Sequence, residues 1–337
     1  MNQAAKALAS RLALGDACTT TGTRPMPISV STDQIRPTER HAFWTEAISR
    51  SFAPVETSPL GPSMVSGHFE FVGRGAAKLV RFDSSPQCYR RDARLVSRTG
   101  SDEFMFDFQR RGLSAMVQGR NEGTITPGYG VLYDARRPFE DRLYGPEHRS
   151  EVLIVTVPAT SLLRAFPQAE QFCARPIPLS ATVARAVAAF VRAAIDAPEP
   201  QAAEDEADIV DYLSALLRMA NGGRHELARS SLFGLLDAYL KADIAAIRPV
   251  QLIAAGFGIS ERTFHRVFAD RDTTFERRVL HLRAQRFRKL LCTQREASIA
   301  ALAARCGFAD AAHATRTFRA VFGMTPRDFR SSARHSV

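Results

Sequence analysis

The stretches VQLIAAGFGISERTFHRVF at 250–268 and IAALAARCGFADAAHATRTF at 299–318 decide the reading of this chain, because one pattern is written in both. In the first, Val250, Ile253, Ala254 and Phe257 fall at i, i+3, i+4 and i+7; in the second, Ile299, Leu302, Ala303 and Cys306 do the same. That spacing gives each segment one apolar helical face. A glycine follows, Gly258 or Gly307, able to take the left-handed backbone that ends a helix sharply. A hydrophobic residue comes next (Ile259, Phe308), then Ser260 or Asp310, whose side chains suit the cap of a new helix. The new helix is apolar on one side again, through Phe264, Val267 and Phe268 or through Ala314, Thr317 and Phe318. The order helix, tight glycine turn, helix predicts two helix-turn-helix units.

Charge singles out the same region. The net charge is +10, and residues 224–337 hold 20 of the 45 Lys and Arg but only 10 of the 35 Asp and Glu. The rest of the chain is neutral and the last third is basic, which points to a polyanionic partner for that end alone. A merely solvated basic surface has the same composition, so the motifs must decide. An α-helix fits the major groove, and outward residues near its N-terminus reach base edges. On the first recognition helix the positions not needed for packing are Glu261, Arg262, His265 and Arg266; Arg262 and Arg266 are i, i+4 neighbours that can each grip a guanine. On the second they are Ala311, Ala312, His313, Thr315 and Arg316. The first unit is expected to read more sequence, the second to sense a methyl group or groove shape and to anchor phosphate. Arg319, Arg327 and Arg330 are read as phosphate contacts or solvated side chains.

These residues resemble the AraC/XylS family of bacterial transcription regulators. The resemblance runs in detail over roughly 228–332 and rests on S-I-x-x-L-A-x-x-C-G-F at 298–308, H-x-T-R-T-F at 313–318 and F-R-x-x-F-G-M-T-P-R-D-F-R at 318–330. VLHLRAQRFRKLL (279–291) is similar to the family's long connecting helix, and its Leu282, Arg286, Lys289 and Leu290 give it one basic edge. Arg266 and Arg316 match positions that contact DNA in family members. Three positions depart from the pattern: Asp272 stands where a glycine is usual, Arg278 where an aromatic is usual, and Ala314 where Phe is common.

Further forward, the periodicity favours strands from about 67 to 157. Phe104, Phe106 and Phe108 alternate with Met105 and Asp107, Phe69 and Phe71 alternate with His68 and Glu70, and VLIVTV (152–157) suits a strand buried on both faces. Turn signals separate these runs at 73–75, 118–123, 126–130 and 144–147, which suggests a β-sandwich or barrel. Helical periods return at 179–195 and 209–219, and an apolar edge of that helical pair can either join two subunits or cover the sheet. The stretches at 39–52, 95–108 and 125–139 are similar to the ligand-binding front domain of the XylS-type branch. That resemblance implies a cupin-like β-barrel plus the helical pair, serving effector binding or dimerisation. Arg98 can pair an effector carboxylate and Tyr133 can donate it a hydrogen bond; a structural ion pair and a core tyrosine are the competing readings.

The fold expected is α+β in two domains: a flexible tail at 1–30, an effector-binding and dimerisation domain at 31–220, a linker at 221–227, and an all-α DNA-binding domain at 228–337. Enzyme signatures are missing: GRGAA at 73–77 lacks a third glycine, and no G-x-S-x-G, P-loop or H-E-x-x-H occurs. His41, His68 and His148 are isolated and the five cysteines show no CxxC spacing, so neither cofactor nor metal is expected. The reading is a cytoplasmic homodimeric regulator that binds double-stranded DNA, answers to a small effector (an aromatic acid or amine) and, by resemblance, activates RNA polymerase. A ligand-independent DNA binder and a cupin-type enzyme with a DNA-binding tail are the alternatives.

Overall fold

The computed structural model describes residues 27–62, 64–145, 149–196, 206–220, 229–242, 244–294 and 296–332. The expected linker at 221–227 and most of the expected tail lie outside these residues. Contacts divide the chain into two compact units, one made of Met1–Ala184 and Phe190–Ser231, the other of Arg185–Ala189 and Leu232–Val337.

Two antiparallel sheets form the first unit. One runs in the order β1 (Ile28–Ser31), β3 (Gly67–Arg74), β4 (Ala77–Ser84), β11 (Ser150–Pro158), β6 (Glu103–Arg111), β9 (Tyr129–Asp134), β12 (Ile177–Pro178). The other runs β2 (Glu56–Pro59), β5 (Gln87–Arg91), β10 (Phe139–Tyr144), β7 (Leu113–Gln118), β8 (Asn121–Ile125). Helix α1 (Arg40–Ser51) adds Trp44, Ala47 and Ile48 to the same core. The last positions of the expected tail belong to this domain instead: β1 pairs with β3, and Val30 enters the core, which fixes the segment.

The core between the sheets is rich in aromatics, among them Phe69, Phe82, Tyr89 and Phe139, but those of β6 face away from it. Both faces of β6 are buried, as are those of β11. The shared interior between the sheets receives Met105, while Phe104, Phe106 and Phe108 alternate to the other side. Between β5 and β6 lies helix α2 (Ala93–Thr99), where Asp92 caps the first turn by accepting from the Leu95 amide at 2.8 Å. Arg98 is an exposed residue of this short helix. The buried cation is Arg91 on β5, whose guanidinium donates to the carbonyls of Pro54, Ala135 and Gly100 and to Thr99 Oγ1 at 2.7–3.0 Å.

Helices α3 (Ala159–Ala165), α4 (Ala181–Asp196) and α5 (Glu206–Ala220) follow the strands. Ile209, Val210, Leu213, Leu216 and Leu217 of α5 are all buried within the single chain, so this helix leaves no large apolar edge of the kind a subunit contact would use.

The second unit is helical: α6 (Arg229–Ala242), α7 (Val250–Gly256), α8 (Glu261–Ala269), α9 (Phe275–Thr293), α10 (Ile299–Arg305), α11 (Ala311–Phe322) and α12 (Pro326–Ser332). Helix α9 serves two cores. Its first turn places Phe275 5.1 Å from Phe264 and 5.7 Å from Phe268. Farther along, Phe287 lies 5.7 Å from Phe318 and 6.0 Å from Phe308. Ring contacts at these distances supply apolar burial with defined orientation.

The departures from the family pattern have local explanations. Asp272 takes a left-handed φ of 52°, the conformation a glycine there would adopt without strain. Arg278 donates to both carboxylate oxygens of Asp237, at 2.5 and 2.8 Å, and its guanidinium lies 6.0 Å from the Phe233 ring. A planar cation thus occupies the aromatic's place and stacks there. Ala314 is fully buried in the second core, where Phe318 and Phe308 fill the space.

Candidate functional site

Each helix-turn-helix copy closes with the same backbone bonds. In the first, the Ile259 amide donates to Ala254 O (3.0 Å) and Gly258 to Ala255 O (3.0 Å); in the second, Phe308 donates to Ala303 O (3.2 Å) and Gly307 to Ala304 O (2.9 Å). Gly258 and Gly307 have φ of 66° and 83°, as this helix ending requires. Gly307 is also fixed by space, because a Cβ there would meet the Ala245 carbonyl oxygen at 2.6 Å. Ser260 Oγ then accepts from the Thr263 amide (3.1 Å), and Asp310 Oδ1 from the His313 amide (2.6 Å), starting α8 and α11. That bond from His313 holds the Asp310 carboxyl below its ordinary range.

On α8, Glu261, Arg262, His265 and Arg266 are all exposed, while Phe264, Val267 and Phe268 are buried. Glu261 accepts a 3.0 Å bond from Gln251 of α7, tying the two helices of the unit together. Arg262 and Arg266 form no ion pair among the described residues, so two cations one turn apart stand without a protein anion. On α11, Ala312 and Arg316 are exposed, but His313 and Thr315 are half-buried. The His313 ring packs edge-on to Phe308 at 5.5 Å, and Thr315 Oγ1 donates to Ala311 O at 2.8 Å. Two of the five positions predicted on the second helix are thus engaged with their own unit. Arg286 and Lys289 of α9 are exposed, forming the basic edge expected of that helix.

The front unit holds an interior cavity of about 480 Å³, counting the part open to solvent. Its walls come from both sheets and from the end of α1. Tyr133 lines it; Arg98 does not, so the two predicted effector residues are not brought together. Two acids that the sequence reading passed over line it instead: Asp107 of β6 and Asp141 of β10, 6% and 5% exposed. Tyr133 donates to Asp107 Oδ1 and Oδ2 at 3.3 and 3.4 Å, and Ser114 donates to Asp141. Burial, opposed by the Ser114 bond, pushes the Asp141 carboxyl up to about 7. Burial first, and then the charge of Asp141, pushes Asp107 well above the carboxylate range. Burial and the nearby Asp107 likewise raise the Tyr133 phenol. Period-two patterning held a weak signal for both acids, as the lone acid in FMFDF and the third residue of FEDRLY.

The fold and these surfaces define a two-domain helix-turn-helix protein whose front unit encloses a small cavity. The model of the AraC-binding-like domain matches residues 44–220, more than half of the chain, and that of a helix-turn-helix domain matches 253–332. The chain belongs to the AraC/XylS family of transcription regulators, which are not enzymes. Over 119 residues it is 34% identical to the HTH-type transcriptional activator RhaS of Escherichia coli O139:H28, covering 35% of this chain and 42% of that one. Over 114 residues it is 26% identical to an uncharacterized protein in the nit 5' region of Bacillus sp. (strain OxB-1), covering 34% and 44%. The match spans under half the length of these curated relatives. The crystal structure of the AraC-like transcriptional activator CuxR is similar at 13% identity with a TM-score of 0.48, over 83% of this chain and 99% of that one. No helix among the described residues is long and apolar enough to cross a membrane.

Proposed function

We propose that this chain is a sequence-specific regulator that binds double-stranded DNA through α8 and α11 and answers to a small molecule in its front domain. The observation that carries the reading is the twice-built helix–glycine turn–helix, with Arg262, Arg266 and Arg316 exposed on the second helix of each copy. Free guanidinium groups one turn apart match the acceptor edges of guanine in a major groove. The second helix, with a short Ala312 and a tethered Thr315, is suited to a methyl contact or to phosphate anchoring through Arg316. Glu261 and His265 flank the reading arginines, with His265 exposed beside them and Glu261 setting the angle of α8 through Gln251. His313 positions the start of α11 rather than a base. Dimerisation, action in the cytoplasm and activation through RNA polymerase complete the proposal; the family resemblance and the name of the RhaS relative support activation.

Selection of bound sequences from random duplexes tests this directly. A consensus should emerge, and the Arg262→Ala and Arg266→Ala variants should lose more affinity for it than for random DNA. Equal loss on both would overturn the base-reading role and leave only phosphate binding.

A further inference from the structure

The cavity of the front unit is unusual in its charge. Ten of its lining residues are aliphatic or aromatic without a polar group, two are tyrosines, and the remaining two are Asp107 and Asp141. The acids come from opposite sheets, β6 and β10, so both walls present a carboxyl to the same space. Among the described residues no lysine, arginine or histidine lines it. The nearby cations are committed elsewhere. Lys78, on the cavity side of β4, pairs with Glu103 at 3.2 Å and donates to Ser51 O at 2.9 Å. Arg91 spends its guanidinium on three carbonyls and Thr99.

Two further polar groups on the inward sides of the same strands are orphaned. Gln87 stands two residues before Tyr89 on β5 and opposite Leu143, both of which line the cavity; it is 0% exposed, and neither its amide nitrogen nor its oxygen has a partner. Thr156 stands two residues after Ile154 on β11 and opposite Met105, again both lining residues; it is 0% exposed and its hydroxyl is unpartnered. Buried polar groups without partners are costly and uncommon, and together with the acids they mark a place built for something to bond.

Chemistry then selects the guest. A carboxylate ligand would bring a negative charge into an apolar space beside two buried acids, with no cation lining it among the described residues. A neutral ligand would leave the acids as they are. An ammonium group donates three hydrogen bonds, enough to reach both acids and a neighbouring acceptor, and a cation over an aromatic face is attracted as well. We propose that the cavity binds a small apolar amine, its ammonium group held between Asp107 and Asp141 and its hydrocarbon body against Phe82, Tyr89 and Phe139. This deepens the reading of the front domain as an effector domain and rests on it.

The full chain is titrated, by thermal shift and by calorimetry, with benzylamine, cyclohexylamine and butylamine, and in parallel with benzyl alcohol and benzoate. At least one amine is expected to raise Tm and to bind about tenfold or more tightly than benzyl alcohol, the factor an unpaired buried charge loses. Asp107→Asn and Asp141→Asn are each expected to abolish that preference. The wild-type comparison of amine with alcohol needs no variant, so it stands even if a variant folds poorly. Equal binding of amine and alcohol, binding of benzoate alone, or no shift with any of the three amines overturns the proposal. Operator affinity measured beside each ligand separates the two claims. If benzoate or the alcohol binds and changes operator affinity, effector control stands and the amine fails. If an amine binds with the expected preference and operator affinity never moves, the cavity assignment stands and effector control fails.

Discussion

The interior of the front unit and the outer face of α8 treat charge in opposite ways. Inside, Asp107 and Asp141 are buried with hydroxyl partners and, among the described residues, no cation. On α8, Arg262 and Arg266 stand exposed with no carboxylate partner among the described residues. A third case lies between them: Asp237, buried in the helical unit, is gripped by Arg278 and by Lys241 at 3.1 Å. Unbalanced charge costs stability when buried and little when solvated, and in both settings it leaves room for a partner of opposite sign. The matched pair of Asp237 asks for none.

The largest effect should come from Asp141. Its folded-state value near 7 lies above the ordinary 3.8, so the folded protein holds a proton that the unfolded chain has released. Stability should therefore fall as pH rises from about 4 to 7, by on the order of 4 kcal/mol for a shift of this size. Asp141→Asn should flatten that decline in urea melts at pH 5 and pH 8; an unchanged slope would mean that the acid is solvated.

Asp237 should behave with the opposite sign. Burial pushes its carboxyl up, but the hydrogen bonds from Arg278 and the charge of Lys241 outweigh that and hold it below its ordinary value. Its contribution is present above the unfolded carboxylate range and lost as pH falls through the folded value. Asp237→Asn, which leaves the half-buried Arg278 without its anion, should destabilise by about 2 kcal/mol at pH 7. If both Asn variants shift the midpoint the same way, the contrast between paired and unpaired acids is gone.

Smaller effects belong to the exposed cations. Arg262→Ala and Arg266→Ala should each weaken specific binding by about 1–3 kcal/mol in gel shifts on the selected site, with folding unaffected. Arg316→Ala should be milder and uniform across sequences, lowering the slope of log affinity against log salt by about one. A larger and sequence-dependent loss at Arg316 than at Arg266 would reverse the assignment of the two copies.

Local signals made the helical unit legible. Glycine turns, caps and 3.6-residue periods are set within a few residues, and they placed α7, α8, α10 and α11 from spacing alone. Part of the second helix was less visible, because the engagement of Thr315 and His313 depends on a back-bond and a ring contact that spacing cannot show. The cavity was hidden for a different reason. Where both faces of a strand are buried, alternation does not say which face meets the other sheet, so the phenylalanines of β6 drew the eye and Asp107 did not. Asp141 sits in FEDRLY, where Glu140 and Arg142 make the strand look like a solvated edge. The short helix that carries Arg98 also had a local cue, its capping Asp92.

Helix α9 carries a mechanical consequence. Phe275 near one end and Phe287 toward the other are core residues of different helix-turn-helix units, joined by one uninterrupted rod of backbone bonds. Inserting one residue midway would swing one unit about 100° around the rod relative to the other. The DNA has a matching sensitivity, since one extra base pair between the half-sites rotates them by about 34°. On the proposed binding of both units to one duplex, the rod makes a calliper locked at one phase, and operators should tolerate changes of base between the half-sites far better than changes in their number.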